Sequence, residues 1–183
     1  MKFQQTEIRL KNNKFVEIRQ CNVEDAEELI KTVKTYLGDS ACVPLDPDEF
    51  NYTIEQEREL IQSFIENKNS LFLIAIYNEQ IVGNIDLSGS QRKALKHTAV
   101  IGMGMLKEWR NTGLGTALLN CSINWAKQNP LLELLWLQVY ANNQAGISLY
   151  KKAGFMENGI QKNFFKNQQN IYFDNITMSL ELK

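Results

Sequence analysis

Alternating and continuous apolar runs divide the chain into short segments of strand length. Residues 6–11 and 15–19 alternate apolar and polar positions around Asn12 and Asn13. Since asparagine tolerates left-handed turns, this region is predicted to form a hairpin. Further apolar runs predict strands that cover residues 71–77, 81–87, 99–105, 134–140, 156–165 and 171–182. None of these runs approaches the length that a membrane span requires.

Helical periodicity fills the intervals between the strands. A cap at Asn22 and apolar residues spaced by three and four predict a helix that ends near Gly38. A capping-box pattern at residues 53–56 opens a second helix. Its predicted inward residues are Leu60, Ile61, Phe64 and Ile65. A third helix is predicted to stop before Pro130 and a fourth to begin at Asn143, which gives an α+β order with a mixed sheet.

Composition narrows the class of protein. At 183 residues and 44% hydrophobic, the chain can bury one core, so we expect a single domain over residues 1–183. A net charge of −1 provides no basic field that would attract nucleic acid or an anionic membrane. The first residues lack the apolar segment of a signal peptide, and the three cysteines lack C-x-x-C spacing, so no disulfide framework or zinc site is indicated. These features predict a cytoplasmic protein.

A glycine-rich segment, Trp-Arg-Asn-Thr-Gly-Leu-Gly-Thr-Ala-Leu-Leu at residues 109–119, carries the first chemical signal. It connects an apolar strand to an amphipathic helix. Gly113 and Gly115 have no Cβ, which allows the backbone to curl with its N–H groups pointing inward. The helix adds unpaired N–H groups and the positive end of its dipole. The segment therefore predicts an anion cradle that suits a phosphate or diphosphate.

A second segment reads Asn-Gln-Ala-Gly-Ile-Ser-Leu-Tyr-Lys-Lys-Ala-Gly-Phe at residues 143–155. Together with Arg-x-x-Gly-x-Gly at residues 110–115, it resembles the acyl-CoA-binding core of the GNAT N-acetyltransferase superfamily. The resemblance runs without gaps over about residues 99–155. One departure is Gly146, where the family usually has Ala. We expect it to loosen the helix by about 1 kcal/mol without affecting the chemistry.

The resemblance implies a fold and a co-substrate. The fold is α+β, with a GNAT-like mixed, mostly antiparallel sheet of about seven strands, flanked by about four helices and splayed between the fourth and fifth strands. The co-substrate is acetyl-CoA, with no metal. Its pantetheine arm would pair with strand backbone at Met103, Gly104 and Met105 and bond to Asn143, which is also a suitable helix N-cap. The diphosphate would lie on Arg110, Asn111, Thr112, Gly113, Leu114, Gly115 and Thr116.

The resemblance also implies a general acid at Tyr150. A phenol with a pKa near ~10 stays protonated at neutral pH and can protonate the departing thiolate, although Tyr150 could instead simply pack on the sheet. Some relatives carry a basic carboxylate on the strand before the Gly turn, but residues 98–105 contain no acid. The candidate base is therefore Asp86, with Glu133, Glu108 and a water chain as alternatives. Asp86 could also be a solvated acid at a strand end.

These residues predict acetyl transfer from acetyl-CoA to a primary amine by direct attack in a ternary complex. The acceptor would be a small-molecule, peptide or protein amine, and the enzyme a monomer or homodimer without nucleic-acid or membrane partners. The acids Asp39, Asp46, Asp48 and Glu49 would favour a cationic amine, or form a solvated loop. The single histidine, His97, excludes a multi-histidine metal site. The alternative is a non-catalytic acyl-CoA-binding sensor or scaffold module.

Aromatic residues of the last predicted hairpin have a simpler interpretation. Phe164, Phe165, Tyr172 and Phe173 recur on the two final strands. Aromatic side chains are common in sheets, where they pack across strands. We therefore expect them to form sheet packing rather than a ligand cage.

Overall fold

The computed structural model describes residues 1–40 and 42–183, which form eight strands and four α-helices. The strands are β1 (Thr6–Arg9), β2 (Phe15–Gln20), β3 (Leu71–Tyr77), β4 (Gln80–Gly89), β5 (Thr98–Met105), β6 (Leu134–Tyr140), β7 (Met156–Lys166) and β8 (Tyr172–Glu181). The helices are α1 (Ala26–Gly38), α2 (Ile54–Glu66), α3 (Leu114–Gln128) and α4 (Gln144–Lys152). None of the helices in the described ranges combines the length and apolarity needed to cross a bilayer.

All eight strands belong to one sheet, in the order β1-β2-β3-β4-β5-β6-β8-β7. Every neighbouring pair is antiparallel except β5 and β6. The prediction of a mixed, mostly antiparallel sheet is confirmed. The sheet has eight strands where the resemblance implied about seven. The predicted N-terminal hairpin contributes two of them, with Asn13 at a φ of 63° in the turn between its arms.

The parallel pair β5 and β6 separates soon after it begins. Only Thr98, Ala99 and Val100 of β5 pair with β6, opposite residues 134–136. Beyond Val100, the β5 edge that faces β6 has no strand partner among the described residues. The predicted splay is confirmed between the strand before the Gly turn and the strand that follows α3. With both arms of the N-terminal hairpin counted, these strands are the fifth and sixth rather than the fourth and fifth.

Two helical layers cover the sheet. Residues of α3 and α4 share a core with Ile85 and Leu87 of β4 on one face, whereas α1 and α2 share a core with Phe72 and Ile74 of β3 on the other. Since side chains alternate along a strand, Asp86 of β4 faces the layer of α1 and α2. We call this side the α1/α2 face and the opposite side the α3/α4 face. The splay between β5 and β6 is a gap in the sheet that both faces border.

One prediction about α2 is wrong. Ile61 and Phe64 are buried as expected, but Leu60 and Ile65 are 36% and 44% exposed. The buried stripe instead continues to Glu57, which is only 2% exposed. Positions 57, 61 and 64 fall on one side of a helix of 3.6 residues per turn, so Leu60 and Ile65 flank the stripe. A carboxyl group therefore lies inside the protein on the α1/α2 face.

Candidate active site

The loop before α3 leaves main-chain N–H groups unpaired at the place where the sequence predicts an anion cradle. Gly113 precedes α3 with a φ of 95°, and Asn111 is also left-handed with a φ of 62°. The first intrahelical bond runs from the Ala117 N–H to the Gly113 carbonyl, and no side chain caps this end of α3. The N–H groups of the first turn therefore lack partners within the helix. Main-chain donors and the positive end of the helix dipole coincide at this loop.

Gly115 differs from its predicted role in curling the backbone. It lies inside α3, and the left-handed conformation belongs to Gly113 and Asn111. A Cβ at Gly115 would lie 3.1 Å from the Met105 Cε and 3.3 Å from a Leu149 methyl carbon. Its missing side chain therefore serves close packing, since it lets α3 approach β5 and α4 beside the cradle.

Two basic residues approach the loop in ways that the motif alone does not indicate. The Arg110 guanidinium donates to the Asp39 carbonyl at 3.1 Å, so it points toward the end of α1. The Lys11 N–H donates to the Thr112 carbonyl at 2.9 Å, and the Lys11 side chain lies over Gly113, with Cγ 3.4 Å from an ideal Cβ there. Lys11 was missed because it belongs to the distant N-terminal hairpin. No local pattern marks it.

The unpaired edge of β5 contains Met103, Gly104 and Met105, the residues expected to pair with a pantetheine arm. Met103 and Met105 pack with the core of the α3/α4 face. Gly104 faces α1, where the Tyr36 ring occupies the space that a Cβ would need. The open edge of β5 is thus held between a helical layer on each face.

Asp86 lies in the interior of β4, directly opposite Gly102 of β5. The half-buried carboxyl group occupies the space that a Gly102 side chain would fill, and Ser88 Oγ donates to its Oδ2 at 3.0 Å. Burial raises the pKa of Asp86 to about 7, although the bond from Ser88 acts in the opposite direction. The interpretation of Asp86 as a solvated strand-end acid is wrong. Glu108 and Glu133, the other candidate bases, lie exposed outside the strands.

Further polar groups lie beside Asp86 on the α1/α2 face. Burial, together with the charges of Asp86 and Glu57, raises the pKa of the Tyr36 phenol. Burial also raises the pKa of Glu57 to about 7. Neither Glu57 Oε2 nor Asn84 Oδ1 has a hydrogen-bond partner among the described residues. We call Tyr36, Glu57, Asn84 and Asp86 the polar cluster. Glu57 was missed because the apolar residues Leu60 and Ile65 favoured a different inward face of α2.

Tyr150 lies on the α3/α4 face, opposite the polar cluster. It projects from α4 into the core of the α3/α4 face, with its ring edge-on to Phe155 at 5.8 Å between centroids. Burial raises the pKa of the Tyr150 phenol to about 12, so the phenol keeps its proton at neutral pH. The sheet therefore carries a group that can accept a proton, Asp86, on one face and a group that can donate one on the other.

Asn143 caps α4, and the cap explains the unusual glycine that follows. The Asn143 Oδ1 accepts the Gly146 N–H at 2.9 Å. A Cβ on Gly146 would lie 2.7 Å from Asn143 Nδ2, so the missing side chain gives the capping amide its room. Asn143 Nδ2 is left as a donor for a pantetheine arm, and that role stays a prediction.

The acidic loop and the terminal hairpin border the splay on the α1/α2 face. Asp39, Asp48 and Glu49 are exposed, and the Asp46 N–H donates to a Glu49 carboxylate oxygen at 2.9 Å. Tyr140, at the end of β6, stacks on Phe165 with 3.9 Å between ring centroids and lies tilted against Phe173 at 5.8 Å. Phe164 and Tyr172 are exposed. Within the described ranges, no three His, Cys, Asp or Glu side chains are grouped to hold a metal ion.

The sequence matches the acetyltransferase (GNAT) family over residues 35–155, a span that contains the loop before α3, the splay and the whole polar cluster. The chain therefore belongs to the GNAT family of acetyltransferases, and it is an N-acetyltransferase. Enzymes of this family use acetyl-CoA. This assignment favours the enzyme over the non-catalytic sensor.

Individual relatives agree with this assignment. An N-alpha-acetyltransferase of Sulfurisphaera tokodaii is 26% identical over 170 residues, which cover 88% of this chain and 93% of that protein. The crystal structure of an acetyltransferase of the GNAT family from Streptococcus pneumoniae is 28% identical, with a TM-score of 0.89 over 91% of this chain and 99% of that one. The fold is also shared by yncA of Salmonella typhimurium, solved with its cofactor acetyl-CoA (15% identity, TM-score 0.81, 92% and 94% covered).

Proposed function

We propose that the enzyme transfers the acetyl group of acetyl-CoA to a primary amine of a small molecule, peptide or protein by direct attack in a ternary complex. The observation that carries this proposal is the position of Asp86. Its carboxyl group lies beside the unpaired edge of β5, has a pKa near neutrality, and faces the side of the sheet opposite Tyr150. A group on one face can thus take a proton from the acceptor amine, while a group on the other face stabilises the departing thiolate.

Backbone groups of this protein are suited to bind acetyl-CoA, the expected co-substrate. The left-handed Gly113 and the uncapped first turn of α3 offer N–H groups to a diphosphate. The open edge of β5 from Met103 to Met105 offers strand hydrogen bonds to an amide-containing arm, and Asn143 Nδ2 adds a donor. Backbone N–H groups of this edge would also polarise the thioester carbonyl. When bound, acetyl-CoA supplies an acetyl group activated as a thioester.

Asp86 is the proposed base because an amine must lose a proton before it can attack. An alkylammonium group with a pKa near ~10.4 is neutral in about one molecule in ~2,500 at neutral pH, a cost of roughly 4–5 kcal/mol. A carboxyl group whose pKa is about 7 accepts that proton more readily than an ordinary aspartate. The proton moves from the ammonium group to Asp86, a bond forms between nitrogen and the acetyl carbon, and the carbon–sulfur bond breaks.

Tyr150 is the proposed acid for the departing sulfur. Its burial on the α3/α4 face keeps the phenol protonated, so a proton is present when the thiolate leaves. At a pKa of about 12 the phenol is a weaker acid than a thiol near ~8.5, so it stabilises the departing thiolate by donating a hydrogen bond and yields its proton only as the nitrogen of the intermediate gives one up. The nitrogen loses its second proton as the amide forms, and this proton restores the Tyr150 phenol. The reaction then returns a neutral amide, free CoA thiol and one proton on Asp86, which passes to solvent.

The Asp86→Asn variant tests this assignment through the release of free thiol. We expect kcat/KM for the amine to fall about 100-fold. In the native enzyme, activity should rise with pH through about 7 as the carboxyl group loses its proton, and this limb should be absent from the variant. Glu133→Gln, an exposed acid outside the strands, is the matched control and should keep native activity and the native pH profile.

Two results would count against the proposal. Native turnover and an unchanged pH profile in Asp86→Asn would remove Asp86 from the reaction. A lack of thiol release with every amine in a broad panel, although acetyl-CoA binds, would overturn the transfer to primary amines.

A further inference from the structure

Two glycines of β5 make room for side chains that reach over this strand on the α1/α2 face. Gly102 and Gly104 lie two residues apart, so they share one face of the sheet. The Asp86 carboxyl group occupies the space above Gly102, and the Tyr36 ring occupies the space above Gly104. The Tyr36 atom nearest to an ideal Cβ on Gly104 is Cζ, the carbon that carries the hydroxyl. The polar ends of both side chains therefore lie over the strand whose edge is open.

Hydrogen bonds hold α1 against the start of β4 and so determine where Tyr36 lies. Thr32 Oγ1 donates to the Ile81 carbonyl at 3.0 Å, and a Glu28 carboxylate oxygen accepts the Ile81 N–H at 2.8 Å. Thr32 and Tyr36 are four residues apart, so they lie on the same side of the helix. Both are buried. The contact that fixes Thr32 on β4 therefore also fixes the Tyr36 ring above β5.

The surroundings of the Tyr36 hydroxyl are rich in hydrogen-bond acceptors. Burial and the charges of Asp86 and Glu57 raise the pKa of the phenol, although the nearby Asn84 amide opposes this rise, so the phenol keeps its proton at neutral pH. Asn84 Oδ1 and Glu57 Oε2 are buried without a partner among the described residues. The phenolic hydrogen thus has acceptors on the protein side, and the phenolic oxygen keeps a lone pair for a donor that arrives with the substrate.

We propose that the Tyr36 hydroxyl contacts the acceptor amine and holds it beside Asp86 during the attack. The positions above Gly102 and Gly104 are about 6.6 Å apart along the strand. A nitrogen that bonds to two oxygens at ~2.9 Å each bridges about 5–6 Å. One ammonium nitrogen can therefore meet both groups. This inference rests on the proposed function, to which it adds a second contact for the amine.

The two contacts divide the hydrogens of the ammonium group. Asp86 takes one proton, which leaves the nitrogen with a lone pair. The Tyr36 oxygen accepts a second N–H, so the nitrogen can turn about this hydrogen bond and bring its lone pair to the acetyl carbon. The nitrogen–carbon bond then forms, the carbon–sulfur bond breaks, and the third hydrogen restores the Tyr150 phenol. The N–H that Tyr36 accepts stays in the amide, so Tyr36 neither gains nor loses a proton.

The Tyr36→Phe variant tests the contact because it keeps the ring above Gly104 and removes only the hydroxyl. The acceptor is whichever of 2-phenylethylamine, spermidine and a hexapeptide with a free N-terminus releases thiol fastest with the native enzyme. We expect kcat/KM for this amine to fall at least about 10-fold, because a hydrogen bond to a charged group is lost. The melting temperature should not change. Tyr77→Phe, which removes a hydroxyl from a ring packed on Trp109, is the matched control and should keep native kinetics.

A double-mutant cycle with Gly104→Ala separates the hydroxyl from the packing of the ring. The added methyl group needs the space of the Tyr36 ring, so it should displace the phenol and lower kcat/KM about 10-fold. In the Tyr36→Phe background the same substitution should cost less than about 3-fold, because no hydroxyl is left to displace. Melting curves show whether each variant keeps the fold. Equal costs in both backgrounds would mean that only the ring matters, and would overturn the contact.

The remaining outcomes distinguish this inference from the function on which it rests. Native kcat/KM in Tyr36→Phe would overturn the contact while acetyl transfer to amines stands. Calorimetry compares the affinities of Tyr36→Phe for acetyl-CoA and for CoA. A loss of affinity for acetyl-CoA alone would assign the hydroxyl to the acetyl group and overturn its contact with the amine. Absence of thiol release by the native enzyme with all three acceptors and with a wider amine panel would instead overturn the proposed function itself.

Discussion

The two faces of the sheet are built on different principles. On the α3/α4 face, the features expected to hold acetyl-CoA come from two short segments, residues 109–116 and 143–155, and consist mostly of backbone. On the α1/α2 face, the polar cluster combines side chains from α1, α2 and β4. Recognition by main chain demands particular glycines at fixed spacing. Recognition by side chains leaves no such pattern.

This contrast explains why family membership is visible in the sequence while the acceptor is not. A left-handed position such as Gly113 accepts few other residues, so a loop of this shape leaves a recognisable glycine in the sequence. Asp86, in contrast, looks like any strand acid until the fold places Gly102 opposite it. The predictions below test whether the two faces are as separable as this comparison suggests.

The largest effect is expected at the cradle. Gly113→Glu forces a left-handed conformation on a residue with a Cβ and places a carboxylate where a diphosphate would lie. We expect the Kd for acetyl-CoA, measured by calorimetry, to rise on the order of 1,000-fold, about 4 kcal/mol. Gly159→Glu is the control, because a side chain at Gly159 meets nothing within 4 Å. Native affinity in Gly113→Glu would contradict the cradle.

The next effect separates chemistry from binding on the same face. Tyr150→Phe keeps the ring that packs on Phe155 but removes the phenolic proton. We expect kcat to fall about 100-fold with little change in the Kd for acetyl-CoA. Tyr172→Phe, which removes a hydroxyl from a ring that is 54% exposed on the terminal hairpin, should have no effect. Unchanged turnover in Tyr150→Phe would leave the thiolate without this acid.

A smaller effect is expected from the buried acid of the α1/α2 face. The pKa of Glu57 is raised from 4.5 to about 7, so between these values the folded protein holds a proton that the unfolded chain has released. The free energy of unfolding therefore falls as pH rises through this interval. Glu57→Gln should remove about 2 kcal/mol of the fall between about pH 5.5 and pH 8.

Denaturant titrations at several pH values measure this difference. Asp86 has a pKa raised in the same direction, so the native protein and the variant will both lose stability as pH rises. Only the difference between their slopes belongs to Glu57. Glu55→Gln, in the same first turn of α2 but exposed, serves as the control. Parallel slopes for the native protein and Glu57→Gln would mean that Glu57 is ionised in the fold.

Much of the fold was accessible from local pattern. The bounds predicted for β6 and the capping box of α2 agree with the structure because the length of an apolar run and cap geometry are local properties. The inward face of α2 was not predictable in the same way. Leu60 and Ile65 were favoured by their apolarity, yet tertiary packing buries Glu57. Which side of a helix meets the sheet depends on contacts that the segment itself does not contain.

The candidate site also contains residues that the sequence could indicate and residues that it could not. The motif identified Gly113, Asn143 and Tyr150, and it carried an expectation for each, although Gly115 proved to serve packing. The sequence did not indicate the polar cluster around Asp86, which requires α1 and α2 to pack on the sheet. Tyr36 and Glu57 are far from Asp86 in sequence, and each has an ordinary side chain. Only the packing of the two helices brings them together.

The bond between the Lys11 N–H and the Thr112 carbonyl gives the first hairpin an unexpected importance. It ties the outermost pair of strands to the turn that precedes α3, although the two segments are separated by about a hundred residues of chain. Loosening at that edge of the sheet would disturb the loop before α3, where the diphosphate is expected to bind. We therefore expect amide hydrogen exchange at the hairpin and at the loop to respond together when this bond is lost.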